Sequence, residues 1–524
     1  MQINNFLEIT AQNFPDKKAI WHNNQWLTYS EINSLSNKVG NYLKGCGLER
    51  GDRVAILLEN SFDYIISYYA ILKIGAITVA LNTESTTDSL TYLLNDSGAR
   101  AIISNKKFTK KLIPALANLI NLRWAIIDQP DPAEYQKLNF CTTIALKKIY
   151  TSGNDAHPNV RCIDTDIASI VYTSGSTGKP KGATLTHFNI VSNTHSIVEY
   201  LQLNAHDRIM VVLPFYYIYG KSLLNTHFCV GGSVVIDNRF LYPNVVLETM
   251  KQMEVTGFSG VPSTFMILLN RSSVRTYTFS SLRYLTQAGG AMAPVVQKEV
   301  AKVFSPAKLF IMYGATEASA RLSYLDPEML PQKWGSIGKA IPNVDLFIAD
   351  ENGRPLPPGE VGEIVARGSN LMVGYWNDPE ETARVIKNGM YFTGDLGRMD
   401  EDGYLFVVGR KRDMIKVGGE RVSAKEIEEA ILEIPEVHEV AVIGVEEEVL
   451  GEAIKAIIVF NDEMEPLHEK AIRAFLSKKL PLVKIPKFIE FVKTLPKNES
   501  GKILKTVLRE QHRIETFQDE RVPE

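Results

Sequence analysis

Two hydrophobic periods alternate along the first four-fifths of the chain. Trp26 to Thr28 ends a strand-like run, and Thr28 with Glu31 forms a capping-box pair that predicts a helix through about Lys44. Residues 54–58 are a short apolar run of buried-strand length, residues 62–74 carry helical spacing, and residues 76–81 read as the next strand. Further strands are predicted at 167–172, 209–213, 233–236, 309–312 and 363–366. Strands alternating with helices predict an α/β fold, a large N-terminal domain of mixed, largely parallel sheets flanked by helices. Residues 128–160 are rich in Asn, Asp, Pro and Ser and read as a long connection without a core of its own.

After Gly403 the pattern changes. A strand is predicted at 404–408, followed by the charged run Gly409-Arg410-Lys411-Arg412-Asp413. Ser423 with Glu426 reads as a second capping box opening a helix to about Glu433. Strands follow at 440–445 and 453–460, and a helix at 470–480. This tail predicts a small, mobile α+β domain, so the expected division is 1–410 and 411–524 with a hinge near Arg412.

Composition narrows the possibilities. The chain has 524 residues, too many for one compact core. Its 57 basic and 60 acidic residues leave a net charge of −3, which argues for neither a nucleic acid nor an anionic membrane surface as partner. No apolar run reaches the roughly 20 residues of a membrane span, and residues 1–11 lack the basic end and apolar stretch of a secretory signal, so a cytoplasmic protein is expected. Cys46, Cys141, Cys162 and Cys229 are scattered, without the spacing of a zinc site or a disulfide framework.

The most informative stretch is Tyr172-Thr173-Ser174-Gly175-Ser176-Thr177-Gly178-Lys179-Pro180-Lys181-Gly182. Its glycines let several N–H groups point at one spot, a nest for anions. The hydroxyls of Thr173, Ser174, Ser176 and Thr177 add donors, and Lys179 and Lys181 add positive charge. The loop follows a strand, where α/β sheets present ligand sites. It has neither the Walker A spacing nor a G-x-G-x-x-G, so a dinucleotide-dependent oxidoreductase is disfavoured.

With this loop the chain resembles the adenylate-forming superfamily of acyl-CoA synthetases, peptide-synthetase adenylation domains and luciferases. Four more motifs resemble the family's in the family's order: Tyr313-Gly314-Ala315-Thr316-Glu317, Tyr391-Phe392-Thr393-Gly394-Asp395, Gly409 to Asp413, and Pro496-Lys497-Asn498-Glu499-Ser500-Gly501-Lys502. The resemblance implies ATP and Mg²⁺. Glu317 would be the metal ligand, an oxygen donor of the kind Mg²⁺ prefers, with Thr316 beside it. Tyr313 would offer a flat face to adenine, with Gly289 and Gly290 of Gln287-Ala288-Gly289-Gly290-Ala291 on the adenine side. Asp395 would accept the ribose hydroxyls with Arg410 in reach. Lys502 would be the catalytic lysine of acid activation. A rotation about Arg412 would then withdraw Lys502 and bring Lys416, Gly418 and Gly419 toward a pantetheine thiol.

The acid and the thiol are less legible. Leu213-Pro214-Phe215-Tyr216-Tyr217-Ile218-Tyr219-Gly220 stands where the family's acid pocket begins. Tyr216 stands where amino-acid-activating domains usually have Asp, and Tyr217 where aryl-CoA ligases usually have His. Tyrosine faces suit an ammonium group, and the segment is similar to stand-alone enzymes that load proline or another small acid onto a carrier protein. Tyr216, Tyr217, Gly220, Ser259, Ala291 and Ala315 are the expected pocket residues, with Gly260, Val261 and Gly289 as further candidates. The expected partners are thus a small carboxylic or amino acid and a phosphopantetheinylated carrier protein, as in secondary-metabolite biosynthesis. Free coenzyme A with an aryl or fatty acid is the alternative. A light-emitting oxygenase and a non-catalytic nucleotide-binding scaffold are the readings of other classes.

Overall fold

The computed structural model describes residues 1–117, 119–128, 142–173, 179–417, 420–447, 451–461, 466–497 and 503–519. Two large sheets dominate them. In the eight-stranded sheet, Arg53–Leu57, Ile77–Ala80, Ala101–Asn105, Trp124–Asp128, Thr142–Ile144 and Ile167–Thr173 run parallel. Lys181–Thr186 and Gly374–Tyr375 close one edge antiparallel. In the nine-stranded sheet, Lys18–His22, Ser233–Ile236, Arg208–Val211, Gly257–Gly260, Tyr284–Gln287 and Lys308–Tyr313 run parallel between antiparallel edges. The expected α/β architecture is therefore present.

Helices Tyr29–Gly45, Phe62–Lys73, His187–Leu201 and Ile218–Val230 share one core with side chains from both large sheets. Their sequences explain this position. Phe62–Lys73 is buried continuously from Tyr64 to Lys73, the pattern of a helix covered on every side. Thr28 caps Tyr29–Gly45 through the expected reciprocal pair with Glu31. A third sheet is wholly antiparallel and joins Val344–Ala349, Val361–Gly368, Met390–Met399, Ile386–Lys387 and Leu405–Arg410. The fourth, built from Met414–Val417, Glu420–Ser423, Val437–Glu447, Gly451–Phe460 and Phe488–Phe491, belongs to the C-terminal region. Among the described residues no hydrophobic cluster crosses residue 410: those on the N-terminal side end at Val407 and those on the C-terminal side begin at Ile415.

Three local expectations are corrected. The supposed connection at 128–160 contains the edge strand Thr142–Ile144 and the helix Leu146–Ser152, because Leu146 and Ile149 are buried against the core and the Tyr150 hydroxyl donates to Asp63 at 2.8 Å. Ser423 caps the helix Ala424–Ile431, but the Glu426 side chain pairs with Lys484 at 2.7 Å, so only half of the capping box is observed. The helix placed at 470–480 is Glu469–Leu476, since only Ile472 and Leu476 are buried on it and Pro481 follows soon after.

Lys221 sits in Ile218–Val230 with no exposed surface. Among the described residues its ammonium reaches Ser169 Oγ at 3.5 Å and the face of Tyr68 at 5.4 Å, and no carboxylate pairs with it. Burial without a carboxylate brings the amine down to about 7 from its usual 10.5. Between those values the unfolded chain binds a proton that the folded chain lacks. The burial cost is thus fully present below about pH 7 and relieved as pH rises toward 10.5. Lys221→Met is expected to stabilise the protein by about 1–4 kcal/mol at neutral pH, with the gain shrinking toward pH 10. Denaturant midpoints measured across that range check both the sign and the slope.

Candidate active site

Parallel strands of both large sheets stop at one line and hand their carboxyl-terminal loops to a common cleft, the place where such sheets bind ligands. Ile167–Thr173 delivers Thr173; Arg208–Val211 leads into the 212–217 loop; Gly257–Gly260 delivers Val261; Tyr284–Gln287 delivers Ala288 and Gly289; Lys308–Tyr313 delivers Gly314 to Glu317. The cleft has a volume of about 1360 Å³ and is also lined by Asp395, Arg410 and, from the C-terminal region, residues 503–506.

Two carboxylates define its polar end. Asp395 and Arg410 face each other in register on Met390–Met399 and Leu405–Arg410, with Arg410 Nε 2.9 Å from Asp395 Oδ1. The Tyr313 hydroxyl donates to Asp395 Oδ2 at 2.6 Å. Burial, then the adjacent carboxylate, raises the Tyr313 phenol well above its ordinary range, so it stays a proton donor. Burial disfavours the Arg410 charge, but Asp395 together with Tyr313, Asp413 and Tyr391 outweighs this and raises its pKa. Glu317 stands in the 3-10 turn Thr316–Ala318, and its Oε1 accepts from the Tyr375 hydroxyl at 2.7 Å. The Tyr375 phenol is likewise raised, first by burial and then by Glu317. Gly314 permits the turn that aims this segment, because a Cβ there would lie 1.9 Å from the Ala320 carbonyl oxygen.

Of the residues expected from sequence, Thr173, Lys181, Gly289, Gly314, Ala315, Thr316, Glu317, Asp395 and Arg410 line the cleft with Tyr216, Tyr217 and Gly220. Lys181 is not a free cation: its ammonium is 2.6 Å from Glu381 Oε1. Lys179 is exposed and lies outside the lining. Ser259 is corrected as a pocket residue, since it is fully buried and bonds Thr286 Oγ1 at 2.6 Å. Ala291 is exposed and Gly290 lies beside it, both outside the lining. Gly220 serves packing as well, because a Cβ would lie 2.2 Å from the Pro214 carbonyl oxygen. Lys416 lies on Met414–Val417, exposed and away from the cleft lining. Ser174, Gly175, Ser176, Thr177, Gly178, Gly418, Gly419 and Lys502 lie outside the described residues, as does the side chain of Arg412, whose backbone belongs to the 3-10 turn Lys411–Asp413.

Sequence reasoning missed Tyr375 and Arg321. Tyr375 sits on a two-residue strand, too short to leave a periodic signal. Arg321 did leave one, as a lone charge in the run Ala318-Ser319-Ala320-Arg321-Leu322. Its guanidinium lies 4.1 Å from the centre of the Tyr219 ring. One of the three tyrosine faces in the stretch expected to receive a substrate ammonium is therefore taken by a cation of the protein itself, which weakens the expectation of an amino acid.

Comparison with known proteins agrees with this geometry. The family model described as AMP-binding enzyme matches residues 7–376, and that described as AMP-binding enzyme C-terminal domain matches 426–502. The chain is 32% identical over 531 residues to a long-chain-fatty-acid–CoA ligase of Bacillus subtilis (strain 168), covering 97% of this chain and 94% of that protein. It is 33% identical over 501 residues to a feruloyl-CoA synthase of Amycolatopsis sp, covering 95% and 96%. The crystal structure of the anthranilate CoA ligase AuaEII in complex with anthranoyl-AMP superposes with a TM-score of 0.90 at 27% identity, covering 98% of this chain and 97% of that one. The chain thus belongs to the AMP-binding enzyme family within the adenylate-forming superfamily, and is an AMP-forming acid–thiol ligase.

A phenol that fixes one oxygen of Glu317 leaves the other directed by the same contact. Tyr375→Phe is expected to cut acid-dependent pyrophosphate exchange by about tenfold or more, the value of a hydrogen bond to a charged group. It should leave the thermal midpoint in place. Exchange kinetics beside a melting curve check this.

Proposed function

We propose that the chain joins a carboxylic acid to AMP from ATP and transfers the acyl group to the thiol of free coenzyme A. The observation that carries this reading is that Thr173, Glu317 and Asp395 line one cleft together with Ile503, the residue that follows Lys502. The acceptor is taken from the relatives, which are named CoA ligases or synthetases. They support coenzyme A over the carrier protein expected from sequence, and nothing among them supports proline. Secondary-metabolite biosynthesis has no support among them either. Among the described residues no helix is long and apolar enough to cross a membrane.

In this reading Asp395 accepts from the ribose hydroxyls, with Tyr313 and Arg410 fixing its orientation. The backbone between Thr173 and Gly182 binds phosphate oxygens. Among the described residues no group of three or more His, Cys, Asp or Glu forms a metal cage. A single carboxylate beside a hydroxyl instead fits Mg²⁺, which is commonly held by one or two carboxylates plus substrate phosphates. Glu317 would hold that ion, which neutralises triphosphate charge when bound. Lys502 acts on the α-phosphate, where negative charge gathers as the carboxylate attacks. At about 4 Å and an effective dielectric of about 20, a lysine contributes on the order of 4 kcal/mol, or roughly three decades of rate.

Residues 1–410 and 411–524 act as two domains turning about Arg412, a division supported by the absence of any described core cluster across residue 410. After adenylation the smaller domain turns, withdrawing Lys502 and bringing Lys416, Gly418 and Gly419 toward the thiol. Lys502→Ala is therefore expected to lose about a thousandfold in adenylate formation and to keep thioester formation from a supplied acyl-adenylate. Measuring the two half-reactions separately, with coenzyme A and with a pantetheinylated carrier as acceptors, tests mechanism and acceptor together. Equal loss in both half-reactions, or turnover with the carrier alone, contradicts the proposal.

A further inference from the structure

Arg321 is 2% exposed, yet it lines the cleft. Its Nε donates to Met312 Sδ at 3.2 Å, and Nη1 donates to the Ala320 carbonyl at 3.0 Å. Neither contact supplies a negative charge, and a thioether is a weak acceptor. Among the described residues no carboxylate forms an ion pair with this guanidinium; the contact opposite it is the Tyr219 ring. A buried cation without a counter-ion is costly, and an anion brought by a ligand would relieve that cost.

The chain spends backbone strain to hold it there. Ser319 and Ala320, the two residues before it, adopt φ of 56° and 119°, a region that side-chain-bearing residues rarely visit. Two buried carboxamides fix the turn: Asn193 and Asn370 both donate to the Arg321 carbonyl, at 2.9 and 2.8 Å. Tyr219, the ring under the guanidinium, belongs to the 213–220 stretch where the acid pocket is expected, lines the cleft, and donates its hydroxyl to the buried Thr286 carbonyl at 3.0 Å. Arg321 and Tyr219 thus line the same cleft as Asp395 and Arg410, and in the ligase reading the acid lies beside them once the nucleotide lies at Asp395 and Arg410.

Resting on the ligase reading above, the geometry points to Arg321 as a specificity-determining residue that pairs with a second anionic group of the substrate. The substrate class is then a dicarboxylic acid, activated at one carboxylate and held by Arg321 at the other. An amino acid is disfavoured because its ammonium would meet the guanidinium. A long alkyl chain is disfavoured because it would cover guanidinium N–H groups that it cannot satisfy. In this respect the acid differs from the one in the name of the B. subtilis relative.

The test is acid-dependent pyrophosphate exchange by the full chain with a series of dicarboxylic acids, the monocarboxylic acids of matching length, and hydroxyaryl acids. The wild type is expected to prefer a diacid over its matching monoacid by about a hundredfold in kcat/KM, carried mainly by KM. Arg321→Met should bring that ratio close to one by raising KM for the diacid alone, and Arg321→Lys should retain part of the preference. The wild-type series and the lysine variant decide the matter even if the methionine variant does not fold. A wild type that prefers monoacids or hydroxyaryl acids overturns the inference while leaving the ligase reading intact. So does an Arg321→Met variant that loses every acid equally, since that would place Arg321 on the activated carboxylate or in a purely structural role. Exchange with no acid at all removes both.

Discussion

Everything at the site depends on where the parallel strands stop. A parallel sheet places the carboxyl ends of its strands on one edge, and here the two large sheets set those edges beside a common cleft. Residues distant in sequence, such as Thr173, Gly289 and Glu317, become neighbours for this reason alone. The strand frame also accounts for the glycines that tolerate no replacement. Gly314 lies immediately after a strand end, at the turn where the backbone passes close to the Ala320 carbonyl.

On that frame the electrostatics divide into two kinds. Glu317 and Asp395 are each held by a tyrosine hydroxyl whose proton burial secures, so both carboxylates keep fixed orientations before any ligand arrives. Orientation set in advance is what makes such groups effective toward charge that develops later. Lys181 and Arg410 have protein carboxylates as partners. Among the described residues Lys221 and Arg321 have none, and they part company in one respect: Lys221 lies outside the cleft lining, whereas Arg321 belongs to it. An unpaired cation sealed in a core is a stability cost, while one at a binding cleft can serve selection.

How far the sequence reveals this follows from the range of each interaction. The Thr28–Glu31 cap, the buried run of Phe62–Lys73 and the order of the motifs are local, and local patterns survive in one dimension. The cleft lining was legible where a motif sits at a strand end, as with Gly314 to Glu317. It was not legible where a long-range partner decides the role. Lys181 looked like a phosphate ligand until Glu381, two hundred residues away, stood beside it. Ser259 reads as a pocket residue, but its strand is buried on both faces and its hydroxyl pairs with Thr286 on the neighbouring strand. Tyr375 acts through a hydroxyl that only the pairing of Gly374–Tyr375 with Lys181–Thr186 brings near Glu317.

The boundary near residue 410 bears on the proposed motion. Two units that must change their relation cannot share a hydrophobic core, because parting one exposes apolar surface at about 25 cal/mol per Å². The described polar contacts across this boundary include four: Asn270 bonds His438 at 3.1 Å, Lys425 donates to the Val407 carbonyl at 2.6 Å, the Ser423 hydroxyl donates to the Val408 carbonyl at 2.5 Å, and the Lys411 ammonium lies 3.7 Å from Glu363. Water can replace hydrogen bonds of this kind at small net cost. The proposed rotation about the 3-10 turn Lys411–Asp413 would therefore break no hydrophobic cluster among the described residues as Ile503 and its neighbours leave the cleft.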